Sequence, residues 1–416
     1  MQDDTFPAAE KILVDIENVL KKNLSLKGFE IVPAKDNENK SPVFHHEDAL
    51  GLASWCVRPL YCYVYRRLME LRQNRHRREE PSTVARWLMG ALLLNPDVTT
   101  FWNMRCELVR CQKLEPINEL AFSRMVLSNN PKCFEAFAYR RWLLPYILDA
   151  KGTDYDPTDA ESLLCAEVKM AEACADWYAN NYHAWTHRRL VMNIRHSRGY
   201  THPTLDSEIK VTSAWCQRHV SDHSGFVYRQ FLLKQCMAEC SHVPANFEDY
   251  NERRDLLVSY IASDAEDSTD ESRNPVDPIP CAVLPENEKR ACYRALSYWV
   301  EECRANEDAI RMYADHEALW CHRRFLAYIL VKYLANCRKR GSDQSKIRFW
   351  DYDEEEVLND MVVDVTCPLE DAFCSRSREL VELARNRSDH EKLLADRFTK
   401  YIGSFGLQLL PRRTSR

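Results

Sequence analysis

The sequence predicts an all-α protein in which helical hairpins stack into a curved array around one continuous core. Three observations support this fold class. Apolar residues recur at helical spacing from about residue 48 onward, and no segment with strand periodicity competes with them. Only nine glycines occur in 416 residues, which leaves few of the sharp turns that sandwiches and barrels require. One short motif also recurs five times in order along the chain.

This motif, called the cassette below, is an aromatic residue, two further residues, an arginine and then resumed apolar sequence. The five copies read FWNMRCEL, AFAYRRWLL, AWTHRRLVM, GFVYRQFLL and LWCHRRFLA. Their aromatic anchors are Trp102, Phe137, Trp185, Phe226 and Trp320. The repeat arginines follow three residues later, and therefore on the same helical face, at Arg105, Arg140, Arg188, Arg229 and Arg323.

The cassettes predict how the chain packs. A hairpin of this size cannot bury its apolar face alone, so successive hairpins must stack, and the aromatic anchors then form the core. An arginine beside them is costly to bury unless its donors reach carbonyls or carboxylates, so we expect it to tie neighbouring turns together. The anchors are 35, 48, 41 and 94 residues apart, and the last interval has room for one eroded repeat.

Helix start signals accompany four of the cassettes. Asn95-Pro96 and Asn130-Pro131 precede the first two anchors, which predicts an asparagine cap followed by proline at the first helical position. Ser221 and Asp315 are predicted to cap the helices of the fourth and fifth cassettes.

Changes in composition divide the chain into four segments. Residues 1–47 are predicted to contain an amphipathic helix at 11–22 and an irregular connection from 27 to 47. The helical repeat array occupies 48–261. An acidic, proline-rich insertion at 262–288 is expected to be a mobile, solvated linker rather than a phosphorylated or partner-binding loop. Helical repeats resume at 289–416, with a polar break at 338–345 before the last helices.

Composition also narrows the class of protein. The net charge is -6 and basic residues are interspersed with acidic ones, which argues against a nucleic-acid-binding protein. Seventeen cysteines are scattered without a C-x-x-C pair, as is typical of a reducing compartment. The start MQDDTF lacks a signal sequence, and the longest apolar run, Trp87 to Leu94, is too short to span a membrane. We therefore expect a soluble, cytoplasmic protein.

The sequence gives little evidence that this chain binds a metal or catalyses a reaction by itself. Cys236 and Cys240 are one helical turn apart, as are His219 and His223, but structural zinc sites normally show two tightly spaced ligand pairs, so we expect no metal or cofactor in this chain. The glycine-rich nucleotide motifs and the G-x-S-x-G elbow are absent. Two alternatives remain: a pure helical-repeat scaffold, which would resemble tetratricopeptide arrays without their 34-residue period, and a metal hydrolase, which would have to bind metal by itself.

The cassettes resemble the repeat of protein prenyltransferase alpha subunits. The resemblance is clearest in NYHAWTHRRLVM, Asn181–Met192, and SDHSGFVYRQFLLK, Ser221–Lys234, and it extends over about 95–330. The family includes the alpha subunits of farnesyltransferase, geranylgeranyltransferase type I and Rab geranylgeranyltransferase. The second segment is most similar to the divergent, repeat-containing branch of the family.

The resemblance implies a right-handed alpha-alpha superhelix, a crescent of helical hairpins that wraps around a barrel-shaped beta subunit. It implies that zinc, the isoprenoid pocket and most diphosphate-binding residues belong to that partner. For the divergent branch, the implied partner is the beta subunit of Rab geranylgeranyltransferase and the implied co-substrate is geranylgeranyl diphosphate. The implied protein substrates end in cysteines, and some already carry a lipid.

The resemblance also implies three residues of a shared active site. Lys132 has the offset from Phe137 at which a family lysine reaches the diphosphate, and Tyr182 and His183 match residues that face the substrate groove. Phe134 stands where the family has tyrosine, so one hydroxyl is missing. His187 and His322, which precede repeat arginines, are expected to have packing or hydrogen-bonding roles. We predict that the helix ends near Lys132 and Tyr182 face the beta subunit.

Overall fold

The computed structural model describes residues 6–23, 26–35, 41–74, 79–149, 157–199, 204–239, 250–262, 286–340, 367–405 and 407. In these ranges the chain forms fifteen helices and one three-stranded sheet, which confirms the predicted all-α class. The chain separates into two compact units, Met1–Tyr200 and Thr201–Arg416. None of the helices in the described part combines the length and apolar character needed to cross a lipid bilayer.

The first unit contains eight helices and the sheet within its described residues. The helices are α1 (Ala9–Lys22), α2 (Ser54–Gln73), α3 (Pro81–Leu94), α4 (Thr99–Arg110), α5 (Pro116–Asn129), α6 (Phe134–Leu148), α7 (Pro157–Trp177) and α8 (Tyr182–Ser197), and the strands are β1 (Gly28–Val32), β2 (Val43–His46) and β3 (Ala49–Ala53). Consecutive helices pack as the hairpins α3–α4, α5–α6 and α7–α8. Helix α1, predicted at 11–22, packs on α2 and α3.

The sheet corrects the prediction of an irregular connection at 27–47. Strand β3 lies in the middle, parallel to β1 and antiparallel to β2. The strands are four or five residues long, too short for a periodicity of two to stand out in the sequence. Gly51 permits the close approach of the outer strands, since a Cβ there would lie 2.9 Å from Val32 Cγ2 and 3.3 Å from Phe44 Cβ.

The second unit contains the remaining repeats. Its helices are α9 (Thr204–Arg218), α10 (His223–Glu239), α11 (Tyr250–Ala262), α12 (Glu286–Met312), α13 (Glu317–Arg340), α14 (Pro368–Arg385) and α15 (Asp389–Gly403). Helices α9–α10 and α12–α13 are the hairpins of the last two cassettes, and α11 packs on α12 in the long interval between them. Most of the predicted insertion, 263–285, lies outside the described residues. Helix α13 extends into the predicted polar break, as far as Arg340.

The predicted helix caps are wrong at all four positions. Asn95 and Asn130 end helices α3 and α5 instead of starting the next ones. The reason is that a residue before proline is sterically disfavoured in the α conformation, so Asn-Pro ends a helix and leads into the turn. Helix α6 is capped by Cys133, whose Sγ accepts from Ala136 N at 3.4 Å.

The caps of the two later cassettes are displaced as well. Asp222, next to the predicted Ser221, caps α10, and its Oδ1 accepts from Gly225 N at 2.8 Å. Asp315 adopts φ 65°, and its carboxylate binds Ser388 and His390 near the start of α15. It therefore connects two helices and does not cap α13.

The aromatic anchors lie in the core. All five are at most 8% exposed. Three of them pack against the ring that precedes the repeat arginine of the following cassette: Trp102 against Tyr139 at 5.0 Å, Phe137 against His187 at 5.6 Å and Phe226 against His322 at 5.1 Å. Helix α12 also buries the predicted stripe, which consists of Cys292, Leu296, Trp299, Val300 and Cys303.

Each repeat arginine is buried and bound to acceptors. Arg140 pairs with Glu167 of the next hairpin through Nε and Nη2, with 3.0 Å between Nε and Oε2. Its Nη1 donates to Ser123 Oγ at 2.7 Å. His187 completes the arrangement, since its Nε2 lies 2.8 Å from the same Glu167 carboxylate. One carboxylate therefore joins an arginine from one hairpin to a ring from the next.

The second unit repeats this arrangement. Arg229 pairs with Glu302, and 3.1 Å separates Nε from Oε1. His322 Nε2 lies 2.8 Å from Glu302, and Arg229 Nη1 donates to Thr212 Oγ1 at 2.9 Å. The hydrogen bonds of His187 and His322 confirm the role predicted for both histidines.

The other repeat arginines are satisfied by related contacts. Arg105 pairs with Glu119 at 2.6 Å, and Tyr139 donates to the same carboxylate at 2.7 Å. Arg188 contacts Glu172 at 3.1 Å. Arg323 donates to Ser377 Oγ at 2.9 Å. It also binds Asn306 and Glu307.

Sequence reasoning missed the glutamates, although a signal for them exists. In four hairpins the glutamate lies 20 residues before the ring it binds. The four pairs are Glu119 with Tyr139, Glu167 with His187, Glu208 with Tyr228 and Glu302 with His322. This constant separation lies within one hairpin, so the spacing of glutamates from the cassettes would have revealed these glutamate–ring hydrogen bonds.

The charges of these clusters depend on their pairing. Burial by itself would raise the pKa of Glu167, but the Arg140 charge and the hydrogen bond from His187 outweigh burial and lower that pKa to about 2. The same causes, Arg229 and His322, lower the pKa of Glu302. Burial lowers the pKa of His187, so this ring is neutral at pH 7. The clusters are therefore ionised arginine–glutamate pairs.

We predict that Trp185→Ala lowers the free energy of unfolding by about 3–5 kcal/mol, because it removes a large core side chain that is 4% exposed. The matched control is Trp177→Ala, whose ring is 75% exposed and whose loss should cost about 0.5 kcal/mol or less. Denaturant titration followed by circular dichroism measures both variants. Equal costs in the two variants would contradict the assignment of Trp185 to the core.

We also predict a dependence of stability on acid that originates at Glu167. Its pKa of about 2 lies below the usual 4.5, so between these pH values the folded state binds fewer protons than the unfolded state. The stabilisation is complete above about pH 4.5 and is lost as the pH falls through about 2, and it amounts to about 3 kcal/mol. Denaturant titrations between pH 6 and pH 2 measure the loss.

The variant Glu167→Gln, although less stable throughout, should lose this part of the pH dependence. Glu161→Gln is the matched control, because that carboxylate also pairs with an arginine, Arg195, but is 46% exposed. An unchanged slope in Glu167→Gln would show that Glu167 is not the source.

Candidate functional site

The three predicted active-site residues lie at the turns of two successive hairpins. Lys132 is in the turn between α5 and α6, and Tyr182 and His183 begin α8. Asn181 ties the two turns together, because its Nδ2 donates to the Pro131 carbonyl at 2.6 Å while its Oδ1 caps Ala184 N at 3.2 Å. The fold thus brings the predicted residues to one surface.

This surface, called the cationic-aromatic patch below, consists of Lys132, Phe134, Arg141, Tyr178, Tyr182 and His183. Lys132 Nζ lies 4.5 Å from the centre of the Tyr178 ring. The His183 ring lies 5.4 Å from the Phe134 ring, and Arg141 Cζ is 5.8 Å from that ring. Two cations are therefore held among four aromatic or imidazole rings.

The patch is open to solvent. Phe134 is 51% exposed, Tyr178 46% and Tyr182 59%, and the neighbouring Trp177 is 75% exposed. Large apolar rings clustered on a surface mark interaction sites more often than isolated ones do. Such a patch fits a partner or ligand that has apolar groups beside an anion.

Electrostatics give the rings and cations distinct roles. Burial lowers the pKa of the His183 imidazole, and the positive charges of Arg141 and Lys132 lower it further, so the ring is neutral at pH 7. Burial also lowers the pKa of Arg141 from its usual 12.5. Arg141 Nη1 is buried without a hydrogen-bond partner among the described residues. The patch can therefore offer positive charge and an unused donor to an anion.

Arg141 and Tyr178 were not predicted as site residues. Arg141 is the second arginine of AFAYRRWLL, so the doubled arginine of that cassette was its signal. Tyr178 gives no comparable signal, because it joins the patch only through the turn that follows α7. Phe134 has no hydroxyl to donate, and its ring packs on the His183 ring.

A group of possible metal ligands adjoins the patch. Asp97, Cys133 and Glu135 are the one set of three found together in the described part of the chain. Burial raises the pKa of the Cys133 thiol to about 12, and its sulfur caps helix α6. Glu135 also accepts from Thr99 Oγ1 at 3.3 Å. These contacts give Cys133 and Glu135 structural roles, and a protonated thiol is a poor metal ligand.

The other metal ligands considered from the sequence do not form a group among the described residues. The His219 ring stacks on Trp215, with ring centres 3.9 Å apart, and His219 Nδ1 lies 3.0 Å from the Trp215 carbonyl. Cys236 is buried, and Cys240 lies outside the described residues.

Comparison with known proteins gives the family of the repeat. The family model named Protein prenyltransferase alpha subunit repeat matches residues 116–147, 164–195, 205–236 and 299–330. These matches coincide with the hairpins α5–α6, α7–α8, α9–α10 and α12–α13, which carry four of the five cassettes. The repeats indicate an alpha-alpha superhelix.

Curated relatives extend the similarity over most of the chain. The chain is 33% identical over 339 residues to Protein prenyltransferase alpha subunit repeat-containing protein 1 of Homo sapiens, covering 77% of each protein. It is 33% identical to the protein of that name in Danio rerio, over 77% of this chain and 72% of the relative. Similarity to Geranylgeranyl transferase type-2 subunit alpha of Saccharomyces cerevisiae is more distant, at 25% identity over 42% of this chain and 52% of the relative.

The cassettes, the helical hairpins and the relatives agree, and they confirm the resemblance found in the sequence. The chain belongs to the protein prenyltransferase alpha subunit repeat family.

Proposed function

We propose that this chain is the alpha-type, non-zinc-binding subunit of a heterodimeric protein geranylgeranyltransferase. In this proposal the chain binds a beta subunit of the Rab geranylgeranyltransferase type in the cytoplasm and supports isoprenoid transfer from geranylgeranyl diphosphate to C-terminal cysteines of proteins. The zinc ion and the isoprenoid pocket belong to the partner. Membership of the family and the distant similarity to geranylgeranyl transferase type-2 alpha subunits support this proposal.

The observation that carries the proposal is the convergence of Lys132, Tyr182 and His183 on one exposed patch. When the bond between isoprenoid and diphosphate breaks, negative charge accumulates on the departing diphosphate. Cations and hydrogen-bond donors fixed beside that charge lower the barrier. Lys132 and Arg141 would supply positive charge, and Tyr182 a hydroxyl donor, while the exposed rings would contact the partner or the apolar part of the substrate.

A helical-repeat scaffold is the second candidate, and Phe134 is the observation that favours it. The family's tyrosine would add a hydroxyl beside His183, and phenylalanine cannot donate there. Such a scaffold would keep the hairpins and the partner surface but contribute nothing to transfer.

We predict that co-expression with a beta subunit of the Rab geranylgeranyltransferase type yields a complex that elutes as a heterodimer from a size-exclusion column. The complex should transfer radiolabelled geranylgeranyl groups to a protein ending in cysteines, and neither subunit alone should do so. Failure to form a complex would refute the subunit proposal, whereas a stable complex without transfer would support the scaffold.

In an active complex, Lys132→Ala should lower kcat about tenfold or more, because removing a donor from a site of developing charge commonly has at least this effect. Heterodimer formation should persist, because the variant leaves in place the exposed rings that would contact the partner. The matched control is Lys11→Ala, which removes an exposed lysine from α1. Equal turnover of the Lys132 and Lys11 variants would show that Lys132 is a solvated surface residue.

A further inference from the structure

A second concave surface of the first unit lies between strand β1 and helices α5 and α7. This cleft has a volume of about 820 Å³, which lies in the range of small-molecule sites. Its wall is largely apolar, with contributions from Phe29, Ile31, Leu127, Met170, Ala173 and Trp177. It adjoins the cationic-aromatic patch, because Pro131 and Trp177 of its wall directly precede Lys132 and Tyr178 of the patch.

The cleft contains one arginine, Arg124, that pairs with no carboxylate among the described residues. Arg124 Nη2 donates to the Leu26 carbonyl at 2.8 Å, and its Nε is buried without a hydrogen-bond partner. Nowhere in the described ranges does Arg124 form an ion pair, in contrast to the repeat arginines. Burial lowers the pKa of Arg124, and the positive charge of Arg140 lowers it further, while the charge of Glu167 acts in the opposite direction.

The remaining charges of the cleft do not neutralise Arg124. Lys27 and Asp48 pair with each other at 2.7 Å. Lys169 and Glu30 are exposed at the margin, with opposite charges. An apolar wall with one uncompensated cation is complementary to a molecule with an apolar body and a single negative charge.

We propose that this cleft binds an amphipathic anion, a small molecule with an apolar chain and one carboxylate or phosphate group. The anionic group pairs with Arg124, and the chain lies against Phe29, Met170 and Trp177. This inference does not rest on the proposed transferase function. A peptide strand added to the edge of β1 fits less well, because Phe29 N already donates to Ser128 Oγ at 2.9 Å.

The test is a titration of the full chain with dodecanoate and, in parallel, dodecyl phosphate, followed by displacement of a fluorescent polyene fatty acid. Dodecanol and dodecyltrimethylammonium serve as neutral and cationic probes of equal chain length. We expect at least one anion to bind about tenfold or more tightly than dodecanol, with the cation weakest. The two anions differ in head group, so their comparison identifies the preferred acid.

Two pairs of variants assign binding to the cleft. Ala173→Trp fills the cleft from an exposed position of α7 and should abolish displacement, whereas Ser162→Trp, exposed on α7 outside the cleft, should not. Arg124→Gln should weaken binding of the anion about tenfold without changing that of dodecanol, and Arg124→Lys should restore part of the affinity. Circular dichroism confirms that each variant is folded.

Several results would overturn the inference. These are the absence of binding by either anion, equal binding of anion and dodecanol, and unchanged binding in Ala173→Trp. Because the assay needs neither the beta subunit nor transfer, its failure is distinguishable from failure of the proposed function.

Discussion

A buried guanidinium is tolerated only where acceptors surround it, and this condition governs how the hairpins pack. In both units an arginine at the core of one hairpin is held by a glutamate from the next, and a ring from that next hairpin binds the same glutamate. Such a pair adds little net stability compared with apolar packing, but losing one partner leaves a buried charge. The pairs therefore specify which face of each hairpin meets its neighbour, while the aromatic anchors supply most of the apolar burial.

The sequence predicts a part of the fold well where the corresponding sequence pattern extends over many residues. Five cassettes extend over more than 200 residues, and the stripe on α12 covers several turns, so both identify buried faces reliably. The strands β1 to β3 are too short to show a period, and their pairing depends on contacts between distant residues. The Asn-Pro caps failed because two local preferences compete there, and the restriction on the residue before proline prevailed.

The candidate site was predictable in part for a related reason. Lys132, Tyr182 and His183 lie five, three and two residues before their anchors, and hairpins that stack in register bring the turns that precede the anchors to one edge. Arg141 and Tyr178 join them through the doubled arginine and through the turn after α7, neither of which follows from the repeat. The cleft at Arg124 was invisible in the sequence, since its walls come from β1, α5 and α7, and no motif marks them.

The separation between each glutamate and its ring has a consequence for how this chain tolerates insertions and deletions. That separation is 20 residues in four hairpins, although the distance between successive anchors varies from 35 to 94. One residue gained or lost within a helical part of such a span would rotate the ring about 100° relative to its glutamate. The variable lengths of this chain lie between the spans, so a foreign segment inserted there should disturb the glutamate–ring pairs least.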